Sequence, residues 1–211
     1  YNSNPFTGEA TQGVERMIDN TLNAANPVIS NFGDFYILIN QLNLMISHTE
    51  TTALLDANVK NYYLGEAYGM RAYVYFHLLR SWGGVVLHLD YTEGSSIDIG
   101  NLSKAAASAS EVMEQIKKDI QSSEDAFGND YSFKYGRCYW SKAATMMLKG
   151  EVYLWSGRQM GGGNSDYAIA KAALEDVKNA KVGLQSEFNK VFAYDNKEND
   201  EIIFTIHSGR N

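Results

Sequence analysis

The sequence predicts an all-α, mainly helical protein: helical hairpins joined by short extended segments, with one β-strand near the C-terminus. Three observations lead there. Apolar residues recur at three- and four-residue spacing along most of the 211 residues. Only 2 prolines interrupt that pattern. The longest periodic stretch, 62–82, carries two apolar stripes instead of one, as a helix does when it is packed on both sides.

Residues 1–13 are polar and read as a lead-in. Val14, Met17, Ile18, Leu22 and Ala25 then describe an amphipathic helix that Pro27 ends. Asp34 is placed to cap a second helix, with Phe35, Leu38, Ile39, Leu42, Met45 and Ile46 as its stripe. The central helix follows. Leu64, Ala67, Tyr68, Val74, Tyr75, Leu78, Leu79 and Trp82 form its first stripe, and Gly65, Gly69, Ala72 and Phe76 its second. Each glycine costs about 1 kcal/mol of helix propensity relative to alanine, but removing the side chain lets a neighbour approach closely. Gly83-Gly84 stops this helix, and Val85-Val86-Leu87 leaves it as a strand or an extended exit.

After an aperiodic loop over 90–103, Ser108-x-x-Glu111 is a capping box, and Val112, Ile116, Ile120 and Phe127 are the stripe of the helix it opens. A loop dense in Tyr and Phe spans 128–137. Ser141 starts the next helix, with Ala144, Met147, Leu148, Val152 and Trp155 on one face and Gly157 as its end. Gly161-Gly162-Gly163 marks a flexible connection, and Ile169, Ala173, Val177 and Ala180 place a helix over 166–182. The alternation in 201–206 makes it the best strand in the chain.

Helices joined in pairs raise the question of a repeat. Gly150-x-x-Tyr153-x-x-x-Gly157, then Tyr167-x-x-Ala170-x-x-x-Leu174-x-x-Val177, matches a tetratricopeptide hairpin with the glycine-rich stretch inserted in its turn. Leu64-Gly65-x-x-Tyr68 matches only the first half of that pattern, because its helix runs past the expected turn.

Composition excludes several function classes. A net charge of −7, with 18 Lys+Arg against 25 Asp+Glu, argues against sequence-independent nucleic-acid binding, which needs a clustered cationic face. The single Cys138 excludes an internal disulfide and a cysteine-rich metal site. His48, His77, His88 and His207 lack metal-ligand spacing, and His77 is read as a packing histidine on the central helix. No metal and no cofactor is expected. The triple glycine follows a helix and lacks the Lys-Ser/Thr of a phosphate loop; no Gly-x-Ser-x-Gly elbow is present. No carboxylate pair is singled out for glycoside hydrolysis, so no catalytic residue is assigned and the protein is read as non-enzymatic. No window approaches 18 apolar residues, so no helix is expected to span a membrane. Arg71 sits among apolar positions and is expected to meet a buried carboxylate. Glu66, five residues away and about 140° round an ideal helix, is a poor partner for it.

What the sequence does supply is rings: 14 Tyr, 9 Phe and 3 Trp. Binding a sugar without chemistry needs rings to stack on pyranose faces and Asn, Asp, Gln or Arg to bond hydroxyls. The candidates beside loops are Asn31, Phe32, Tyr36, Trp82 and Tyr91, with ordinary packing as the alternative for each.

The run Gly65-Glu66-Ala67-Tyr68, Arg71-Ala72, Tyr75-Phe76, Leu78, Arg80 and Gly83 resembles the signature helix of the SusD/RagB family, the surface glycan-binding lipoproteins of Bacteroidetes. Where members often read Gly-Asp-Val-Pro-Leu, this chain has Gly84-Val85-Val86-Leu87. The segments Asn101 to Ile120, Arg137 to Arg158 and Asn199-x-Glu201-Ile202-Ile203-Phe204 are similar to successive family segments. The resemblance implies a tetratricopeptide-containing nutrient-binding protein of the outer membrane, facing the medium, that hands oligosaccharides to a SusC-like TonB-dependent transporter and performs no chemistry on them. It makes Gly65, Glu66, Arg71, Tyr75, Arg80 and Gly83 structural, and carries over Asn31, Phe32, Tyr36, Trp82 and Tyr91 as glycan contacts by approximate position. Family chains carry a lipidated cysteine upstream and continue past the Glu-Ile-Ile-Phe segment. Residues 1–211 are therefore expected to be one N-terminal domain of a longer chain, anchored upstream, with part of the glycan site in the remainder. The rival readings are a tetratricopeptide-type adaptor for peptides or proteins and a helical glycan-processing enzyme with two facing carboxylates.

Overall fold

The computed structural model describes residues 32–92 and 103–206. The chain divides into two compact units, Tyr1–Ile37 and Leu38–Asn211. The helix expected over 14–25 and most of the loop over 90–103 lie outside the described residues. In the first unit, Phe35 N–H donates to the Phe32 carbonyl at 3.2 Å as α1 (Gly33–Thr51) begins, one residue ahead of the expected cap.

The rest of α1 buries Ile39, Leu42, Asn43, Ile46 and Thr49. The central helix, α2 (Ala57–Trp82), starts well before the periodic stretch, because the Asp56 carboxylate accepts the Asn58 and Val59 N–H groups at 3.0 Å each. It ends at Gly83, whose φ of +77° suits glycine and whose N–H bonds the Leu79 carbonyl at 2.9 Å. Both stripes are covered: Ala72, Tyr75, Phe76 and Leu78 are fully buried. His77, in contrast to the packing role expected of it, lies on the exposed side of the helix.

Four further α-helices follow among the described residues. The capping box at Ser108 forms with both of its bonds and opens α3 (Ala109–Phe127), whose stripe of Val112, Ile116, Ile120 and Phe127 is buried throughout. Ser141 caps α4 (Lys142–Gln159) by accepting the Ala144 N–H at 3.2 Å. A three-residue turn leads into α5 (Gly163–Asp176) and a 3₁₀ turn, Val177–Asn179. Short α6 (Phe188–Val191) comes last.

Neighbouring helices run antiparallel. Along α2 and α3, Ser123 Oγ–H donates to the Gly65 carbonyl at 2.6 Å, and Arg71 meets Asp119 further up. Along α3 and α4, Lys142 Nζ donates to the Gly128 carbonyl at the end of α3, and Lys149 Nζ pairs with Glu124 a turn earlier on α3.

Glycines set the approach of these helices. A β-carbon on Gly65 would come within 2.7 Å of the Phe127 ring, and one on Gly69 within 2.1 Å of the Trp140 indole nitrogen. In the α4–α5 pair, Gly150 faces Leu174 and Gly157 faces Tyr167, each at 2.5 Å. These are the glycine and large residues of the tetratricopeptide pattern, brought into register. Gly157 therefore lies inside α4 and serves packing; it does not end the helix. The triple glycine is a tight turn instead of a flexible connection, with Gly161 and Gly163 at positive φ and Gly162 N–H donating to Ser156 at 3.3 Å.

Among the described residues, the 201–206 stretch forms no strand: it carries a turn at Glu201 and a bend at Ile203. Its partner is a side chain. Arg137, 4% exposed, sends its guanidinium to the carbonyls of Ile202 and Lys181 and to Asp200 Oδ1, while its own carbonyl takes the Thr205 N–H at 2.9 Å. The exit 85–87 likewise forms no strand and is fastened where Ala107 N–H bonds the Val85 carbonyl at 2.9 Å.

A buried polar network crosses the centre. Arg71, 5% exposed, bonds Asp119 through two nitrogens, both at 2.7 Å, and Asn43 Oδ1 at 2.8 Å. Gln115 Nε2 adds a donor to Asp119 at 2.9 Å. The Asn43 amide then donates to the carbonyls of His88 and Asp90, at 2.9 and 3.1 Å, and the Tyr75 hydroxyl holds the His88 backbone at both its N–H and C=O.

Three stability outcomes follow from this packing. Gly69→Ala should cost about 1–3 kcal/mol through overpacking against Trp140, outweighing the helix propensity it gains, and lower the melting temperature by roughly 2–4 °C per kcal/mol. Asp119→Ala leaves a buried cation unpaired and should cost about 3–5 kcal/mol in chemical denaturation, whereas Arg71→Met combined with Asp119→Leu should restore much of that loss. Burial pushes the Glu66 carboxyl up to about 7, against the opposing pull of Lys134 and the Trp140 backbone N–H. The folded state thus holds a proton the unfolded chain releases, so stability should fall as pH rises from 4.5 to about 7. Glu66→Gln keeps an acceptor for Trp140 and should flatten that decline in melting curves taken across the range.

Candidate functional site

A polar cup of about 340 Å³ opens between α1, α2 and the exit segment. From α1 come Asn43, Ile46, Ser47 and Glu50, spaced by three and four residues and so on one face. From α2 come Tyr68 and Arg71, one turn apart. Leu89, Asp90 and Tyr91 close the third side.

The third side stays in place because α1 imitates a neighbouring strand. Asn40 accepts the Thr92 N–H at 2.7 Å and donates to the Thr92 carbonyl at 3.1 Å; Asn43 takes the carbonyls of His88 and Asp90. Backbone that would otherwise need water or a sheet partner is satisfied by two amide side chains. Tyr91, 37% exposed, is steadied edge-on by the His48 ring at 5.5 Å.

Inside the cup the Tyr68 hydroxyl donates to Glu50 Oε1 at 2.7 Å, and burial followed by that bond pushes the phenol up to about 12. Arg71 contributes a wall already neutralised by Asp119, its guanidinium carbon 5.3 Å from the Tyr68 ring centre. The Glu50 and Asp90 carboxylates, the Ser47 hydroxyl and the Tyr91 ring are what a ligand would meet. That set accepts and donates hydrogen bonds to hydroxyls and offers one aromatic surface. Among the described residues no group of three or more His, Cys, Asp or Glu is gathered to hold a metal.

Of the sequence candidates among the described residues, Tyr91 alone lines this cup. Phe32 and Tyr36 are brought to each other, ring centres 5.8 Å apart, within the first unit. Trp82 is the last residue of α2 and half-buried. Asn31 lies outside the described residues. Sequence reasoning missed Asn43, Glu50, Tyr68 and Asp90. The one legible signal was Asn43, a polar residue on the otherwise apolar stripe of Ile39, Leu42 and Ile46.

A larger groove, about 800 Å³, runs between α4 and the 201–205 segment and is lined by Trp140, Met147, Leu154, Phe192, Ile203 and Phe204, among others. Its carboxylates are engaged, Glu151 by Arg80 at 2.6 Å and Glu201 by the Gln185 N–H at 2.8 Å. Its chemistry suits apolar side chains better than sugar hydroxyls.

The chain is similar to known proteins along its whole length. A SusD superfamily protein from Bacteroides vulgatus ATCC 8482 is 62% identical in sequence, with a TM-score of 0.89 over 100% of this chain and 42% of that one. B. fragilis NanU is 63% identical, with a TM-score of 0.88 over 97% of this chain and 40% of that one. SusD-like protein P38 from Formosa agariphila is 32% identical over 68% of this chain and 25% of its own length. A further solved structure, with xylogluco-oligosaccharide, is 27% identical over 81% of this chain and 33% of that one, with a TM-score of 0.65. The chain thus spans well under half the length of the proteins it matches. Residues 4–154 match the SusD-like family described as "Starch-binding associating with outer membrane", and the chain belongs to that family.

Proposed function

We propose that this chain is the N-terminal, tetratricopeptide-containing portion of a longer SusD-like protein that binds oligosaccharide at the cell surface and performs no chemistry on it. In the whole protein a lipid anchor upstream of Tyr1 holds it to the outer membrane, and a SusC-like TonB-dependent transporter receives the bound glycan. The observation that carries the reading is the polar cup, where one presented ring, Tyr91, stands beside Ser47, Glu50 and Asp90. A ring for a pyranose face and convergent hydroxyl partners are what saccharide binding requires. The family description and the relative solved with xylogluco-oligosaccharide support the same ligand class. Asn31, Phe32, Tyr36 and Trp82 remain in this proposal as contacts completed by the rest of the protein.

A second reading, a tetratricopeptide-type adaptor, is favoured by the apolar groove along α4, which would accept a partner's apolar side chains.

Isothermal titration of the intact protein against plant and host oligosaccharides, with products followed by chromatography, separates the readings. Expected is binding of at least one oligosaccharide without product, weakened about two- to tenfold by Tyr91→Ala, the range of a lost aromatic contact of 0.5–1.5 kcal/mol. Turnover of the bound sugar would point to the glycan-processing enzyme. No binding across the panel, with a protein partner still pulled down, would leave the adaptor.

A further inference from the structure

The 128–140 loop presents rings that the polar cup does not use. Tyr62 on α2, 4% exposed, makes edge contacts with Phe127 at 5.6 Å and Tyr135 at 5.5 Å, and Tyr135 in turn contacts Tyr139 at 5.4 Å. The outer two rings stand 48% and 50% exposed. They are exposed without being loosely held. Gly136, at φ +93°, turns the loop with its N–H on the Phe133 carbonyl at 3.1 Å, and the next residue, Arg137, is clamped to the 198–205 segment through its backbone and its side chain. Lys134 lays its ammonium over Tyr62 and Tyr135, at 4.9 and 5.5 Å from the ring centres.

Tyr62 also lines a second small cup, about 230 Å³, together with Asn58, Asn61, Asp125 and Asp130. Asn58 and Asn61 are exposed at the start of α2. The Asp130 carboxylate is oriented by accepting the Ser132 N–H at 2.9 Å. Rings fixed by their own packing lose little freedom when a ligand lies on them, which makes their stacking energy available for binding. The 59° tilt between Tyr135 and Tyr139 makes a corner, so that one ring can take the face of a sugar while the other meets its edge.

We propose that Tyr135 and Tyr139 form a second saccharide-binding surface, stacking a pyranose of the bound glycan while Asn58, Asn61 and Asp130 bond its hydroxyls. The proposal rests on the glycan reading above but not on the Tyr91 cup. Tyr62 and Arg71, which mark the two places on α2, are nine residues apart, half a turn round the helix and about 13 Å along it.

The test uses the complete protein on an array of plant and host oligosaccharides, followed by titration of the best binder. Replacing Tyr135 and Tyr139 together by Ala should weaken that ligand about tenfold or more, while replacing both by Phe, which keeps the rings, should retain most of the affinity. Unchanged affinity in the alanine pair, with Tyr91→Ala still weakening binding, would overturn this surface and leave the glycan reading standing. Absence of binding by the unaltered protein would overturn both. If the alanine pair lowers the melting temperature, hydroxyl-radical footprinting of the unaltered protein decides instead. Protection of Tyr135 and Tyr139 by saturating oligosaccharide supports the surface, and unchanged labelling overturns it.

Discussion

The arrangement of the second unit depends on one buried ion pair. Taking the Arg71 guanidinium and the Asp119 carboxylate out of water costs several kcal/mol per ion, and only excellent geometry offsets this. The pair has that geometry, with two parallel bonds of 2.7 Å, Gln115 on the carboxylate and Asn43 on the remaining nitrogen. The bonds that leave α2 recruit other elements. Asp119 ties α3 to α2, Asn43 ties α1 to α2, and the amide nitrogen of Asn43 fixes the exit segment. The polar cup is the outer surface of this network: the elements whose buried ends meet at Arg71 supply its exposed walls.

The helix seams are specified by size as well as by charge. At Gly65, Gly69, Gly150 and Gly157, a missing side chain on one helix is filled by a ring or a leucine from a neighbouring element. Such pairs fix both separation and register, since sliding one helix by a turn would place the large group against a side chain. The same device recurs in the α2–α3 and α4–α5 hairpins, although only the second matches the tetratricopeptide spacing closely. In the first, α2 runs on for 26 residues, and its extra length carries Arg71, Tyr75 and the exit that closes the cup.

Legibility in the sequence followed the range of the interaction. The caps at Ser108 and Ser141 and the stop at Gly83 are decided within a few residues, and all three were readable from spacing. The glycine–large pairs of α4 and α5 were readable because a repeat pattern supplies both halves. Gly157 was misread as a terminator because a glycine that packs and a glycine that caps look alike until its opposite number, Tyr167, is in place. The alternation of 201–206 was real, but the stretch forms no strand; Arg137 takes its Ile202 carbonyl and its Thr205 N–H instead. The site was least legible. Glu50, Tyr68 and Asp90 lie on three elements, and nothing local to any of them announces that they converge.

Arg137 has one more consequence, and it concerns order in time. Its bonds reach residues 44, 63 and 65 positions further along the chain. Closing loops of that length carries an entropic cost that grows with the logarithm of their size, so these contacts form after the local helices rather than before them. During synthesis, α2 and α3 can pair as soon as they emerge, while the ring-bearing loop waits for some sixty further residues before its final shape is enforced. The loop that presents Tyr135 and Tyr139 thus takes its final shape only once the 198–205 segment has emerged.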